Sequence, residues 1–274
     1  MSEPGKSETV MSEPMTSEPV LRTENLTRRF GGLVAVDNLS IALSAGRVHA
    51  IIGPNGAGKT TFFNLVTGLL SPDSGRIFFR GRDITGCRPH VISRLGIKRT
   101  LQVKSVFPEL SVADNLWITS QAHNRFLNAF RAAASNKQIG LQVERTLEQI
   151  GLADLAARPA GTLSYGDVAM LEIGMAIISE PSLLLLDEPT CGMSPAETAR
   201  AVAKIRELAR TIDLVIIEHD MDVVFGIADD ITVLAQGAIL ASGGPAAIAD
   251  DERVREAYLG RPEDEDFMEE ALNA

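Results

Sequence analysis

The stretch VHAIIGPNGAGKTTFFNLV (48–66) constrains the fold more than any other part of the chain. A short apolar run, a glycine-rich loop and a segment with helical spacing follow without a break, which predicts strand, tight loop and helix. The loop matches G-x-x-x-x-G-K-[ST], with Gly53, Gly58, Lys59 and Thr60 in the fixed places, Pro54, Asn55, Gly56 and Ala57 between them, and Thr61 after. Glycines let successive backbone N–H groups converge on phosphate oxygens without Cβ clashes. In that setting Lys59 neutralises the β- and γ-phosphates and the Thr60 hydroxyl holds Mg²⁺. A bare glycine-rich turn is the competing reading. The strand before it and the helix after it argue for a phosphate cradle.

LLLLDEP (183–189) reads as a second buried strand with acids at its C-terminal end. A D-E pair after a strand is usually solvated charge, but after a phosphate loop its meaning narrows. Asp187 is then the Mg²⁺ anchor, the Walker-B role, and Glu188 the group that orients and deprotonates an attacking water. LVIIEH (214–219) is a third such strand, with His219 at the same edge and in reach of a γ-phosphate. Ligands of open parallel sheets collect at that edge.

Composition removes several function classes. A net charge of −10 over 274 residues offers no basic face for nucleic acid or anionic lipid. No apolar run approaches the roughly 18 residues of a membrane span, and MSEPGKSETV is not a signal peptide. Two cysteines, Cys87 and Cys191, fit a reducing cytosol without a disulfide framework. The MSEP, MSEP, TSEP repeats cannot repay the entropy of ordering, so residues 1–20 read as a disordered tail and the fold begins near Leu21.

Between these landmarks, Gly31-Gly32 separates two candidate strands and RIFFRGRDI reads as a hairpin around Arg80-Gly81. The texture turns helical from about 111 to 178, with Ile139, Val143, Leu147 and Ile150 on one face and Gly151 as the stop. Ser194-Pro195-Ala196-Glu197 is a capping box with proline at the first helical position. TLSYGDVAMLEIGMAI (162–177) admits two readings: Ser164 and Asp167 cap a helix, or the same helix start faces a phosphate. The closing PEDEDFMEEALNA leaves an acidic tail over 261–274. Strands alternating with helices on both sides of a helical insert give an α/β core with a parallel sheet.

The loop at 53–61, LSYGD, LLLLDEP and His219, in this order, resemble the ATP-binding subunit of ABC transporters, from about Leu21 to Gly260. The resemblance implies a P-loop NTPase core of residues 21–98 and 179–260, with an antiparallel β subdomain and a helical subdomain inserted at 99–178. It makes Phe30 the aromatic that stacks on adenine, and Gln102 the Q-loop residue joining Mg²⁺ to the membrane-coupling helices. CGMSPAE becomes the D-loop against the opposite subunit. Ser164, Gly166 and Asp167 become the signature that contacts ATP on the partner's P-loop. Both readings of 162–177 then hold, and ATP joins two subunits head-to-tail. Implied partners are two membrane permease chains, a second ATPase chain (a sister or a copy) and, indirectly, a periplasmic binding protein. The implied place is the cytoplasmic face of the membrane.

RRFGGLVAVDNLS, RTLQ before FPELSVADNL, LSYGD, CGMSPAE and EAYLG are most similar to the branched-chain (hydrophobic) amino-acid importers. Urea importers and the lipopolysaccharide-export ATPase share part of this texture. A soluble ABC ATPase acting on ribosomes or DNA is disfavoured by the single cassette, the lack of heptads and the acidic balance. Intact Asp187, Glu188 and His219 disfavour a hydrolysis-dead regulatory cassette. One departure stands out: Val168-Ala169-Met170 replaces the usual Gln/Arg-rich stretch, and Asp167 stands where Gln or Glu is common. The expectation is a weaker contribution to the partner's phosphate site.

Overall fold

A computed structural model of the chain describes residues 18–100, 106–123 and 132–259. In chain order the elements are β1 (Leu21–Phe30), β2 (Leu33–Leu39), β3 (Ala42–Leu43), β4 (Val48–Ile52), α1 (Lys59–Val66), β5 (Ser74–Phe79), β6 (Arg82–Asp83), α2 (Pro89–Arg94) and β7 (Ile97–Arg99). Three helices follow: α3 (Val112–His123), α4 (Ala132–Ile150) and α5 (Tyr165–Ile177). The chain then returns to alternation with β8 (Leu183–Asp187), α6 (Pro195–Leu208), β9 (Asp213–Ile217), α7 (Met221–Ile227), β10 (Asp230–Ala235), β11 (Ala238–Gly243), α8 (Pro245–Ala249) and α9 (Glu252–Leu259).

The strands form two sheets. One is antiparallel, in the order β2-β1-β5-β6 with β3 on β1; the other runs β11-β10-β4-β9-β8-β7. The second sheet is parallel apart from the β10–β11 hairpin. Every residue of β4 and β8 is buried, which is why both read as unbroken apolar runs. The period of two then sorts them between two cores. Ile51, Leu183, Leu185, Val215 and Ile217 join Phe62 and Phe63 of α1 and the antiparallel sheet. Val48, Ala50, Ile52, Leu184, Leu186, Leu214 and Ile216 face the helices. Helices α3, α4 and α5 pack on one another as the insert, with Ile139, Val143, Leu147 and Ile150 buried and Gly151 ending α4 at φ 73°.

The hairpin at Arg80-Gly81 turns with both residues at positive φ, 47° and 73°, the hand that suits strand twist. The strand boundaries are tighter than the apolar runs suggest. β9 stops at Ile217, so Glu218 and His219 lie in the loop beyond it. The fold also starts earlier than Leu21: Val20 is buried, its N–H bonds Leu43 O at 2.8 Å, and its carbonyl accepts from Arg80 N. The rest of the expected N-terminal tail (1–17), Gln102 and the acidic C-terminus lie outside the described residues.

Candidate nucleotide-binding and catalytic site

β4, β9 and β8 are neighbours in register, with Ile51 opposite Ile217 and Asp187 opposite Ile217. Their C-terminal ends therefore deliver Gly53, Glu218 and the Asp187-Glu188 pair to one edge. The loop leaving β4 is held on its far side by backbone hydrogen bonds. Gly237 N–H bonds Ala57 O at 3.1 Å, and Asp37 N–H bonds Gly237 O at 2.8 Å. This closeness explains two of the glycines. Gly53 has φ 145° and a Cβ there would collide with the Leu234 carbonyl; Gly58 has φ 101° and a Cβ would collide with the Ala35 carbonyl. Gly58 is the N-cap of α1, so the first N–H groups of α1 open onto the loop. Lys59 curls over that loop and donates to the Gly53 carbonyl and, at 3.1 Å, to Pro54 O. Those bonds sit where an anion's oxygens would compete for the ammonium. Pro54 and Thr61 are half-buried, while Asn55, Gly56 and Thr60 are exposed at the loop's mouth.

Asp187 is the last residue of β8 and its side chain is fully buried. Oδ2 accepts from Arg99 Nη2, while Oδ1 is buried with no hydrogen-bond partner among the described residues. A buried, unsatisfied carboxylate oxygen is costly unless something of opposite charge takes it. It fits a divalent cation's bound water, and Thr60, exposed at the loop's mouth, carries an oxygen donor of the kind Mg²⁺ takes.

Glu188 follows at φ 50°, a left-handed conformation that a non-glycine residue adopts at a cost of about 1–3 kcal/mol. Its backbone N–H is tied to Ile217 O at 2.8 Å, which holds the turn. The side chain is about one-third exposed, and its Oε1 lies 3.9 Å from His219 Nδ1. His219 is 60% exposed and stands between Glu188 and Glu218, whose Oε2 is 3.8 Å away. Glu218, fully buried, accepts from Thr190 N at 3.0 Å and Thr190 Oγ1 at 2.6 Å. It thereby ties the loop after β9 to the turn after Glu188.

Phe30 ends β1 at the hairpin tip, 43% exposed, with the Arg28 guanidinium 5.0 Å from its ring centre. One face of the ring is backed by a cation, and the residue keeps exposed apolar surface for a flat ligand. Ser164 caps α5, its Oγ accepting from Asp167 N at 3.2 Å. Gly166 N–H donates to Glu197 Oε1 at 3.3 Å, and Glu197 in turn closes the capping box of α6 with Ser194. Val168 and Met170 are buried, Met170 within the helical core, so the missing Gln/Arg residues are replaced by packing.

Two residues at this edge, Arg99 and Glu218, carry no role in the sequence reading, and Glu197, expected only to cap α6, also bonds the first turn of α5. Arg99 sits in RTLQ and Glu218 in LVIIEH. An acid directly after the apolar run LVII is the signal that points to Glu218, whereas Arg99, beside Lys98, has no local pattern that sets it apart.

The family model for ABC transporters matches residues 36–191, more than half of the chain and the whole span from the P-loop to the Walker-B acids. The chain belongs to the ABC transporter ATP-binding family. It is thus an ABC-type ATPase, and a second family model, the branched-chain amino acid ATP-binding cassette transporter, matches residues 238–264. The cassette is 40% identical over 252 residues to the high-affinity branched-chain amino acid transport ATP-binding protein BraF of Pseudomonas aeruginosa, covering 89% of this chain and 99% of that protein. It is 38% identical over the same length to LivG of Escherichia coli K12, a protein of the same description, again covering 89% and 99%. Among solved structures, an ATP-binding cassette of an ABC transporter in its ADP conformation superposes with a TM-score of 0.78 at 34% identity, covering 89% of the cassette and all of that chain. The α/β core with its antiparallel β subdomain and helical insert is therefore the ABC ATPase fold. These relatives favour the branched-chain group over the urea, lipopolysaccharide-export and non-transport alternatives.

Proposed function

We propose that this cassette hydrolyses MgATP to power an importer of branched-chain or other hydrophobic amino acids, working as one half of a head-to-tail ATPase pair beneath two permease chains. A periplasmic binding protein feeds that importer, and the cassette sits on the cytoplasmic face of the membrane. Among the described residues no helix is long and apolar enough to cross a membrane, in keeping with a peripheral subunit. The observation that carries the chemistry is the convergence of Lys59, Asp187, Glu188 and His219 on one edge of the parallel sheet.

The reaction is in-line attack of water on the γ-phosphoryl group. Lys59 and the N–H groups of Gly53–Thr61 spread the charge that develops on the phosphate oxygens. Glu188 accepts the water's proton, and His219, within 4 Å of it, orients water and γ-phosphate. Phe30 holds the adenine. Asp187, Thr60 and Gln102 would hold Mg²⁺, which would supply charge neutralisation to the phosphates. Ser164, Gly166 and Asp167 serve the nucleotide of the opposite subunit.

The test is to purify tagged Glu188→Gln cassette from its own cell's membranes with ATP present and to identify the chains that accompany it. Two different permease chains with a second ATPase support the importer reading and name the sister subunit. Export-machinery chains, or soluble proteins only, would leave the ATPase chemistry standing and remove the transport assignment.

A further inference from the structure

Arg99 is the last residue of β7, three positions before Gln102, and its side chain is only 8% exposed. Its guanidinium makes two bonds to different elements: Nη2 to Asp187 Oδ2 on β8, and Nη1 to Asn64 Oδ1 on α1 at 2.6 Å. It also lies 5.4 Å from the ring centre of Phe63, another α1 residue. One cation thus bridges the helix that leaves the phosphate loop and the strand that ends in the Walker-B acid. The third nitrogen, Nε, is buried without a hydrogen-bond partner among the described residues.

We propose that Arg99 is a positioning residue for the metal site. Resting on the reading that Asp187 anchors Mg²⁺, it occupies one carboxylate oxygen so that only the other is presented to the metal. Arginine suits this because its planar, permanently charged head can grip two acceptors at fixed angles. The Asn64 bond matters as much as the charge, since it stops the guanidinium from turning with the carboxylate. While no nucleotide is present the same cation compensates a carboxylate that would otherwise stand buried and alone. Residues behind a metal's direct ligands typically alter metal affinity by about 10–100-fold.

The experiment titrates a fluorescent ATP analogue onto the full chain, with increasing Mg²⁺ and separately in EDTA, for wild type, Arg99→Gln and Asn64→Ala. Arg99→Gln is expected to raise the Mg²⁺ concentration for half-maximal binding by about tenfold. Affinity in EDTA should stay within about twofold, because Arg99 touches no phosphate-loop backbone. Asn64→Ala leaves the Asp187 charge paired and should give a smaller rise, about threefold. It decides the matter if Arg99→Gln does not fold. An equal loss in EDTA would reduce Arg99 to a core-stability residue and overturn the proposal. Tighter Mg²⁺ binding in Arg99→Gln would also overturn it, since charge screening alone predicts that sign. Asp187→Asn is the control for the underlying reading. If it leaves the Mg²⁺ dependence unchanged, Asp187 is not the anchor and that reading fails first.

Discussion

The carboxylate of Glu197 accepts the backbone N–H of Gly166 at 3.3 Å, joining the first turn of α6 to the first turn of α5. Its other oxygen takes the N–H and hydroxyl of Ser194 at 3.0 and 2.7 Å. The segments named as D-loop and signature are therefore held together by one acid. The Ser194 hydroxyl, then the Ser194 N–H and the Ser164 hydroxyl, push the Glu197 carboxyl down to about 2 from its ordinary 4.5. A depressed carboxyl stabilises the fold fully above its unfolded value and loses that contribution as pH falls through the folded one. Glu197→Gln is expected to lower the melting temperature near neutral pH by about 2–4 °C, the size of one lost capping interaction in a chain of this length. The gap to wild type should close as pH falls from about 4.5 toward about 2. A gap that stays constant in thermal melts across that window would show that the charge contributes nothing.

Glu188→Gln keeps the shape of the side chain and removes its basicity. Phosphate release should fall by about 10²–10⁴-fold, the usual contribution of a positioned general base. Nucleotide affinity should be retained, and light scattering should detect an ATP-bound pair that no longer separates. Undiminished turnover would mean that another group accepts the proton.

Lys59→Ala removes the cation that curls over the phosphate loop. Charge-assisted bonds are worth roughly 1.5–3 kcal/mol, so affinity for a fluorescent nucleotide should drop by at least about tenfold. Two of its partners, Gly53 O and Pro54 O, belong to the loop itself, so the melting temperature should change far less than the affinity does. A large loss of stability with unchanged affinity would assign Lys59 to the fold.

Asp167 sits in the first turn of α5, where its charge suits that helix and opposes an incoming phosphate. In the assembled complex Asp167→Gln should raise ATP turnover by about 2–5-fold, from a dipole term of roughly 0.3–1 kcal/mol. Site-resolved hydrolysis should find the composite site served by this α5 slower than its twin in the wild type. Two equally fast sites would remove the idea.

Local patterns made much of this legible. The buried strands at 48–52, 183–187 and 213–217, the caps of α5 and α6, and the turn at Arg80-Gly81 each follow from a few adjacent residues. The bonds of Arg99 to Asp187, Glu218 to Thr190 and Glu197 to Gly166 were not legible, because the partners lie 88, 28 and 31 positions apart. No window along the chain contains both members of such a pair.

The sequence by itself determined the nature of the ATP site: a glycine loop, a lysine and paired acids at strand ends have one common chemistry, and local backbone propensities place them. Only the tertiary structure decided how the acids are held. Parallel pairing in the order β4-β9-β8 brings Gly53, Glu218 and Asp187 to a single edge, and the packing of β7 against β8 seats a buried cation on one Asp187 oxygen while the other, also buried, has no hydrogen-bond partner among the described residues. The reason is physical. A residue's type fixes what it can bond, but desolvation and distance fix the strength of that bond, and both arise when distant segments meet.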